Sequence, residues 1–253
     1  MSRRLLQMAA AVCALWALCP AQSAQQSSAE KQPPEVHDII LEHAERYRYD
    51  EKTNSVELSG GVILRHEDGT LRCDKIAFNT KTKQGEATGS PTFVDPRNTV
   101  SGESLFIDFK ARVAGFRGGV KVVRSPKKEQ TGPSTTSAPP AKPEEARKEG
   151  EKRLEEYEKE KTVITADEVQ YFYREKRVVA KGNVKAEQEK RSAWADQAIY
   201  TDSDELLVIT GNVRLETAER ESFRCNKATI SLRDNWVEAE GAITSHFKIS
   251  EEE

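Results

Sequence analysis

Residues that usually carry chemistry are scarce in this chain. Its 253 residues include only four cysteines and four histidines. The histidines show none of the spacings that bind zinc, and they are His37, His43, His66 and His246. No Gly-x-Ser-x-Gly motif, phosphate-binding glycine loop or dinucleotide fingerprint is present. A net charge of −3 gives no basic field for nucleic acid. We therefore expect a protein that is not an enzyme, holds no cofactor or metal and binds no nucleic acid.

A long apolar run is also missing. The longest, from Leu5 to Cys19, follows Arg3 and Arg4 and is shorter than the roughly 20 residues that a spanning helix needs. This pattern is typical of a secretory signal peptide. Residues 1–24 are thus predicted to be a cleaved leader, and the alternative is a retained membrane anchor.

What the sequence does contain is a repeat. Six copies of one unit each have a small residue at the start and a glycine 16 residues later. The starts are Ala44, Cys73, Gly102, Ala166, Ala195 and Cys225, and the glycines are Gly60, Gly89, Gly118, Gly182, Gly211 and Gly241. Each unit has the alternating apolar pattern of two strands joined by a short polar turn, which predicts an all-β, antiparallel fold.

The apolar pattern shifts by one residue within the first strand of each unit. The shift falls at a carboxylate or amide directly after the start, which is Glu45, Asp74, Glu103, Asp167, Asp196 or Asn226. A bulge, or a corner where a strand passes between two sheets, produces such a shift. The pattern predicts a bent, two-sheeted stack in which the glycine lies within a strand. Because one such carboxylate or amide accompanies every unit, we expect these side chains to bond local backbone and not to catalyse a reaction.

The repeat also predicts how far apart the two cysteines after residue 24 lie. Cys73 and Cys225 occupy the same small-residue position in copies two and six. Four units of strand spacing place them too far apart for a disulfide. Two buried free thiols are predicted.

One interval between copies is longer than the others. Residues 125–161 begin with a proline-rich stretch and end with a run of mixed charges, Glu144 to Lys161. The first part is too polar to build a core, and the second could form an exposed helix. We expect a flexible insert between repeats one to three, in residues 25–124, and repeats four to six, in residues 162–250. The alternative is a boundary between two independently folded domains.

Two copies carry a recognisable pair of motifs. Ala166-Asp167 is followed by Gly182-Asn183-Val184, and Ala195-Asp196 is followed by Gly211-Asn212-Val213. These resemble the alanine-aspartate and glycine-asparagine-valine signatures of the LptA/OstA-like family of periplasmic lipopolysaccharide-transport proteins. The resemblance covers nearly all of the chain after residue 24, and it is looser in the first half.

The resemblance implies an elongated, slightly twisted β-jellyroll in the periplasm. Its apolar interior would shield the acyl chains of lipopolysaccharide and leave the sugars in solvent. The protein would bridge an inner-membrane transporter complex and an outer-membrane translocon, with copies stacked head to tail. Open strand edges near residues 39–49 and 242–249 suit such strand addition.

The alternating apolar side chains are the candidates to bind acyl chains. They are Tyr47, Tyr49, Ile76, Phe78, Leu105, Ile107, Phe116, Val169, Tyr171, Ile209, Val213 and Ile243. Acyl chains leave water for such a groove at about 0.8 kcal/mol per methylene. The same residues could instead fill a dry core, as in a self-assembling scaffold without ligand. A third alternative is an inner-membrane-anchored relay of the same transport system, which would keep its N-terminal helix.

Overall fold

The fold is described by a computed structural model for residues 39–66, 69–126, 160–218, 221–231, 233–234 and 236–246. Sixteen strands form one antiparallel sheet in this part of the chain. They are β1 Ile39–His43, β2 Arg46–Asp50, β3 Ser55–His66, β4 Gly69–Asn79, β5 Gln84–Thr88, β6 Thr92–Val94, β7 Asn98–Ser101, β8 Ser104–Asp108, β9 Val113–Arg124, β10 Thr162–Phe172, β11 Arg177–Gln188, β12 Arg191–Thr201, β13 Leu206–Thr217, β14 Ser222–Ser231, β15 Trp236–Glu240 and β16 Thr244–His246. The predicted leader lies outside the described residues, among which no helix is long and apolar enough to span a membrane.

The sheet is folded along its middle into two layers. One half of each long strand pairs with strands of the first layer, and the other half pairs with strands of the second. Layer A is built from the strand halves before each repeat glycine and after each carboxylate, from β2 and β3 through to β14 and β15. Layer B contains the other halves, from β1 and β3 through to β14 and β16. The predicted all-β, antiparallel β-jellyroll of two-strand repeats is confirmed.

Four long strands, β3, β9, β11 and β13, turn from one layer to the other at a bulge beside the repeat glycine, and β4, β10, β12 and β14 turn opposite these bulges. In β3, for example, the register with β4 shifts between Ser59 and Val62. All six repeat glycines have positive φ, at 87°, 81°, 76°, 72°, 76° and 94° in chain order. At Gly182 a Cβ would also collide with the carboxylate of Asp167. The corner therefore requires glycine twice, for its backbone conformation and for the space that the acidic side chain occupies.

The residue after the glycine completes the corner. Asn183 and Asn212 have φ of 48° and 50°, a region that asparagine tolerates better than most residues. Their Nδ2 atoms donate to Oδ2 of Asp167 and Asp196 at 3.0 and 2.9 Å. The glycine-asparagine motif and the carboxylate thus form one structural unit.

The predicted phase shift is visible in β14. Phe223 and Cys225 are buried on one side of Asn226, and Ala228 and Ile230 are buried on the other, although their spacing breaks strict alternation. The corner lies opposite the bulge of β13 between Thr210 and Val213. Both halves of the strand consequently bury their apolar residues between the layers.

Some predicted strands are divided at their corners. The pairs β1/β2, β5/β6, β7/β8 and β15/β16 each correspond to one predicted strand. In copies two and six the strand ends just before Gly89 and Gly241, so the expectation that the glycine lies within a strand is wrong there. Pro91 explains the first break, since it lacks the N–H that a ladder needs. At Gly241 the far edge of β15 has no partner strand among the described residues, because β15 and β16 both pair with β14.

The insert lies at a hairpin of layer B. β9 and β10 pair over their full lengths, from Arg124 with Thr162 to Val113 with Phe172. One sheet therefore continues across the interval. Apart from residues 125, 126, 160 and 161, the insert lies outside the described residues, and its flexible and helical parts stay predictions.

Both cysteines within the described residues are buried free thiols, as predicted. Burial, followed by the charge of Asp74, raises the pKa of Cys73 to about 11. Burial also raises the pKa of Cys225. Both thiols stay neutral in the folded state, as expected for packing residues and not for reactive ones.

Candidate functional site

The apolar space between the two layers is the candidate site. Its packing differs along the chain. From Phe116 to Ile230 the inner face forms one large buried cluster. Copies one and two have a smaller buried cluster, surrounded by half-buried side chains. Its members are Leu58, Val62, Cys73 and Ala87. In the strand half that follows the carboxylate, the interior is thus closed in copies five and six and more open in copies one to four.

The open part, called here the open interior, is centred on Ile76, Phe78, Leu105 and Ile107, all half-buried. Strand β5 between them contributes only Gly85 and Ala87 to the inner face, so the layer is shallow there. A Cβ on Gly85 would lie 2.9 Å from Phe78 Cδ2 and 3.4 Å from Ile107 Cγ2. The large side chains of β4 and β8 therefore lean over a strand that has almost no side chains of its own.

The predicted lining residues fall into three groups. The half-buried group is Ile76, Phe78, Leu105, Ile107, Val169 and Tyr171. Fully buried are Phe116, Ile209 and Val213. Exposed are Tyr47, Tyr49 and Ile243, at 62%, 48% and 52%. The exposed group lies on or beside the end strands of the described sheet, where none of the described strands covers the inner face.

Two aromatic residues on the same inner face were missed from the sequence. Phe109 contacts Phe78 edge-on, with ring centroids 5.9 Å apart. Tyr173 contacts Tyr171 in the same way at 5.0 Å. Each lies two residues beyond a predicted inner-face position, at a hairpin tip of layer A, where the alternation could have been extended. These two residues form an aromatic lip on layer A.

The outer face of layer A is held by different contacts. Phe106 lies over Gly115 on the neighbouring strand, and the Arg117 guanidinium stacks on its ring at 4.0 Å. Arg117 Nε also donates to Glu168 Oε1 at 2.8 Å. Burial alone would raise the pKa of Glu168, but hydrogen bonds from Arg117 and Gln170 bring it below its usual range. Polar and cation–π contacts therefore stabilise the outer face of layer A, whereas its inner face is apolar.

Fold and interior together define the class: a two-layered β-jellyroll of repeats with an apolar space between the layers. Comparison with known families agrees. A family model described as LptA/(LptD N-terminal domain) LPS transport protein matches residues 156–236, and one described as OstA-like protein matches residues 36–132. The chain belongs to the LptA/OstA-like family, as its paired motifs predicted.

Comparison with individual proteins gives one distant structural match. No curated protein matches the chain at a significant level. Among solved structures, the chain is similar to LptH, the LptA-homologous periplasmic component of the lipopolysaccharide transport device of Pseudomonas aeruginosa. The identity is 12% and the TM-score 0.39, over 72% of this chain and 95% of that chain.

Proposed function

We propose that this protein binds lipopolysaccharide in the periplasm and passes it on between membrane complexes without catalysis. The observation that carries the proposal is the open interior. Ile76, Phe78, Leu105 and Ile107 present apolar surface that the protein itself leaves partly exposed. Acyl chains that cover this surface would gain about 25 cal/mol for each Å² removed from water.

Copies five and six supply an internal comparison. At the positions equivalent to Ile76 and Phe78, copies five and six have Ala198 with Tyr200 and Ala228 with Ile230, all buried. The same repeat unit can therefore close its interior completely. That it does not do so in copies one to four favours a ligand there. A scaffold with a filled core would bury these positions in every copy. This alternative therefore has support from copies five and six alone.

Lipopolysaccharide binding by the purified full chain tests the proposal. We expect lipopolysaccharide to displace a fluorescent fatty-acid probe, and Leu105→Asp to weaken binding about tenfold or more. The reason is that acyl chains would bury the introduced carboxylate without a partner, which costs at least about 2 kcal/mol, and each 1.4 kcal/mol is a factor of ten. Ser104→Asp, on the outer face next to it, is the matched control. Displacement that Leu105→Asp leaves unchanged would exclude the open interior as the site.

We propose that lipopolysaccharide passes to other proteins where the end strands of two molecules pair. The pairing of β13 with β14 gives the register between the last strand of one repeat and the first strand of the next. In it, Val208 lies opposite Thr229 and Thr210 lies opposite Lys227. If β15 met β2 of a second molecule by the same rule, Glu238 would face Arg48 and Glu240 would face Arg46. All four side chains are exposed on the outer face. Opposite charges at directly paired positions favour such a junction.

The inner face of this junction is complementary as well. The same register sets Val237 opposite Tyr49 and Ala239 opposite Tyr47 on the apolar side. The tyrosines, exposed at the end of one molecule, would be covered by the next. We therefore propose head-to-tail pairing through layer A, with either a second copy or a partner that has the same kind of edge.

Reversal of the acidic pair tests this register. Glu238→Arg with Glu240→Arg is expected to weaken self-association about 10- to 100-fold in sedimentation velocity, because two attractive pairs become repulsive. Adding Arg46→Glu and Arg48→Glu to the same chain restores opposite charges at both positions and should restore association. If the fourfold variant associates no better than the double variant, β15 and β2 do not meet in this register.

Whether the N-terminal apolar stretch is removed decides between a soluble carrier and the anchored relay, and that stretch lies outside the described residues. The proposal commits to the soluble carrier. The mass of the mature protein after export distinguishes the two, since cleavage removes residues 1–24.

A further inference from the structure

The inner face of layer B ends in a row of polar side chains. Asn98, Arg124 and Thr162 pair across β7, β9 and β10. Gln188 and Arg191 pair across β11 and β12, and Gln188 Nε2 donates to Thr162 Oγ1 at 3.0 Å, which joins the two parts. We name these five residues the rim row. It is one step beyond an apolar row on the same face, which contains Val100, Val122, Ile164, Ala186 and Ala193.

The middle of the rim row is buried, which is unusual for residues at the border of a sheet. Arg124 is 7% exposed, Thr162 2% and Gln188 8%. Polar side chains that were placed here only to meet water would be exposed. Buried polar groups destabilise the fold unless they are bonded.

Several side-chain oxygens in this region lack a hydrogen-bond donor. Within the described part of the chain, Gln188 Oε1, Asn98 Oδ1 and Glu160 Oε2 are buried and accept no hydrogen bond. Glu160 reaches the row through its other oxygen, which lies 4.0 Å from Arg191 Nη2. The rim row therefore combines guanidinium donors with unused oxygen acceptors. A ligand that fits both has anionic oxygens and hydroxyl groups on one framework.

The opposite border of the interior has the reverse character. On layer A the inner face ends in the aromatic lip of Phe109 and Tyr173. One border of the apolar space is thus aromatic and the other is polar and cationic. This asymmetry suits an amphiphile whose chains lie in the interior and whose head is held at one side.

We propose that the rim row binds the phosphorylated saccharide head of the lipid, which rests on the proposed function above. The guanidinium groups of Arg124 and Arg191 bond the phosphate oxygens, since such charge-assisted pairs are strong and directional. The amide oxygens of Gln188 and Asn98 accept hydrogen bonds from sugar hydroxyls. Over β7 to β12 the row spans on the order of 19 Å, given strands about 4.8 Å apart.

The test compares two glycolipids with identical acyl chains, one bearing phosphates and the other enzymatically dephosphorylated. The full chain should bind the phosphorylated form about tenfold or more tightly, because charge-assisted hydrogen bonds are lost with the phosphates. Arg124→Gln and Arg191→Gln should each reduce this ratio severalfold. Lys121→Gln, exposed on the outer face of β9, should leave the ratio unchanged.

The outcomes separate this inference from the proposed function. Equal binding of both glycolipids by the wild type, or a ratio unaffected by both arginine variants, would overturn the rim-row assignment and leave acyl-chain binding intact. Binding of neither glycolipid would overturn both. If an arginine variant does not fold, the wild-type ratio and cross-linking of the phosphorylated head to a photo-probe at Gln188 decide, and a ratio of one without cross-linking rejects the proposal.

Discussion

Replacing Gly118 by alanine is expected to lower the Tm by roughly 4–20 °C, whereas the same change at Gly119 should lower it by roughly 2–8 °C. Both glycines have positive φ, 76° and 53°. An alanine in this left-handed region is destabilised by about 1–2 kcal/mol. For a chain of this size, 1 kcal/mol corresponds to roughly 2–4 °C in Tm.

The difference between the two glycines comes from the corner carboxylate. A Cβ on Gly118 would lie 2.6 Å from Glu103 Cδ, whereas a Cβ on Gly119 would have nothing within 4 Å. Overpacking of this kind adds about 1–3 kcal/mol. Copies two, four and five have Ser90, Asn183 and Asn212 where copy three has Gly119, which shows that the second position accepts a side chain.

Thermal unfolding of the two single variants, and of Gly118→Ala combined with Glu103→Ala, separates backbone strain from overlap. Removal of the glutamate should recover part of the loss at Gly118 and none at Gly119. Equal Tm shifts for the two alanine variants would mean that the carboxylate does not fill the corner.

The corners are the part of the fold that the sequence predicts best. The 16-residue spacing from Ala166 to Gly182 and from Ala195 to Gly211 also brings the carboxylate after each alanine to the glycine, because two strands joined by a short hairpin pair at that distance. The phase shift after Cys225 is likewise a local property of one strand. Local pattern therefore suffices for the strands, the antiparallel pairing and the two layers.

Burial of the inner face could not be predicted in the same way. Phe78 and Tyr200 occupy the same repeat position, yet one is half-buried and the other buried. The difference depends on what the facing layer and the neighbouring strands supply, such as Gly85 beside Phe78. Periodicity identifies the inner face but carries no information about the volume opposite it.

The rim row and the aromatic lip were missed for a related reason. Arg124 and Gln188 are polar residues at the end of an apolar alternation, which from sequence alone indicates the end of a buried strand. Phe109 and Tyr173 lie in turns, where alternation is not expected to continue. Only the register of the assembled sheet shows that these residues border the same interior.

Lipid contact along β4 should follow the alternation of the strand. Ile76 and Phe78 point into the open interior, while Ala77 between them is exposed on the outer face. Successive side chains of a strand lie on opposite faces. A photo-reactive residue should therefore meet acyl chains at 76 and 78 and solvent at 77. The exposed site of Ala77 accepts a bulky probe, and an aromatic probe at Phe78 preserves the ring over Gly85.

Photo-cross-linking in cells from positions 76, 77 and 78 is the most direct test of lipid binding between the layers. Probe incorporation must leave the Tm of each purified variant close to that of the wild type. We predict lipopolysaccharide adducts from 76 and 78 and none above background from 77. Adducts of equal strength from all three positions, or none from 76 and 78 in folded protein, would contradict a lipid held in the open interior.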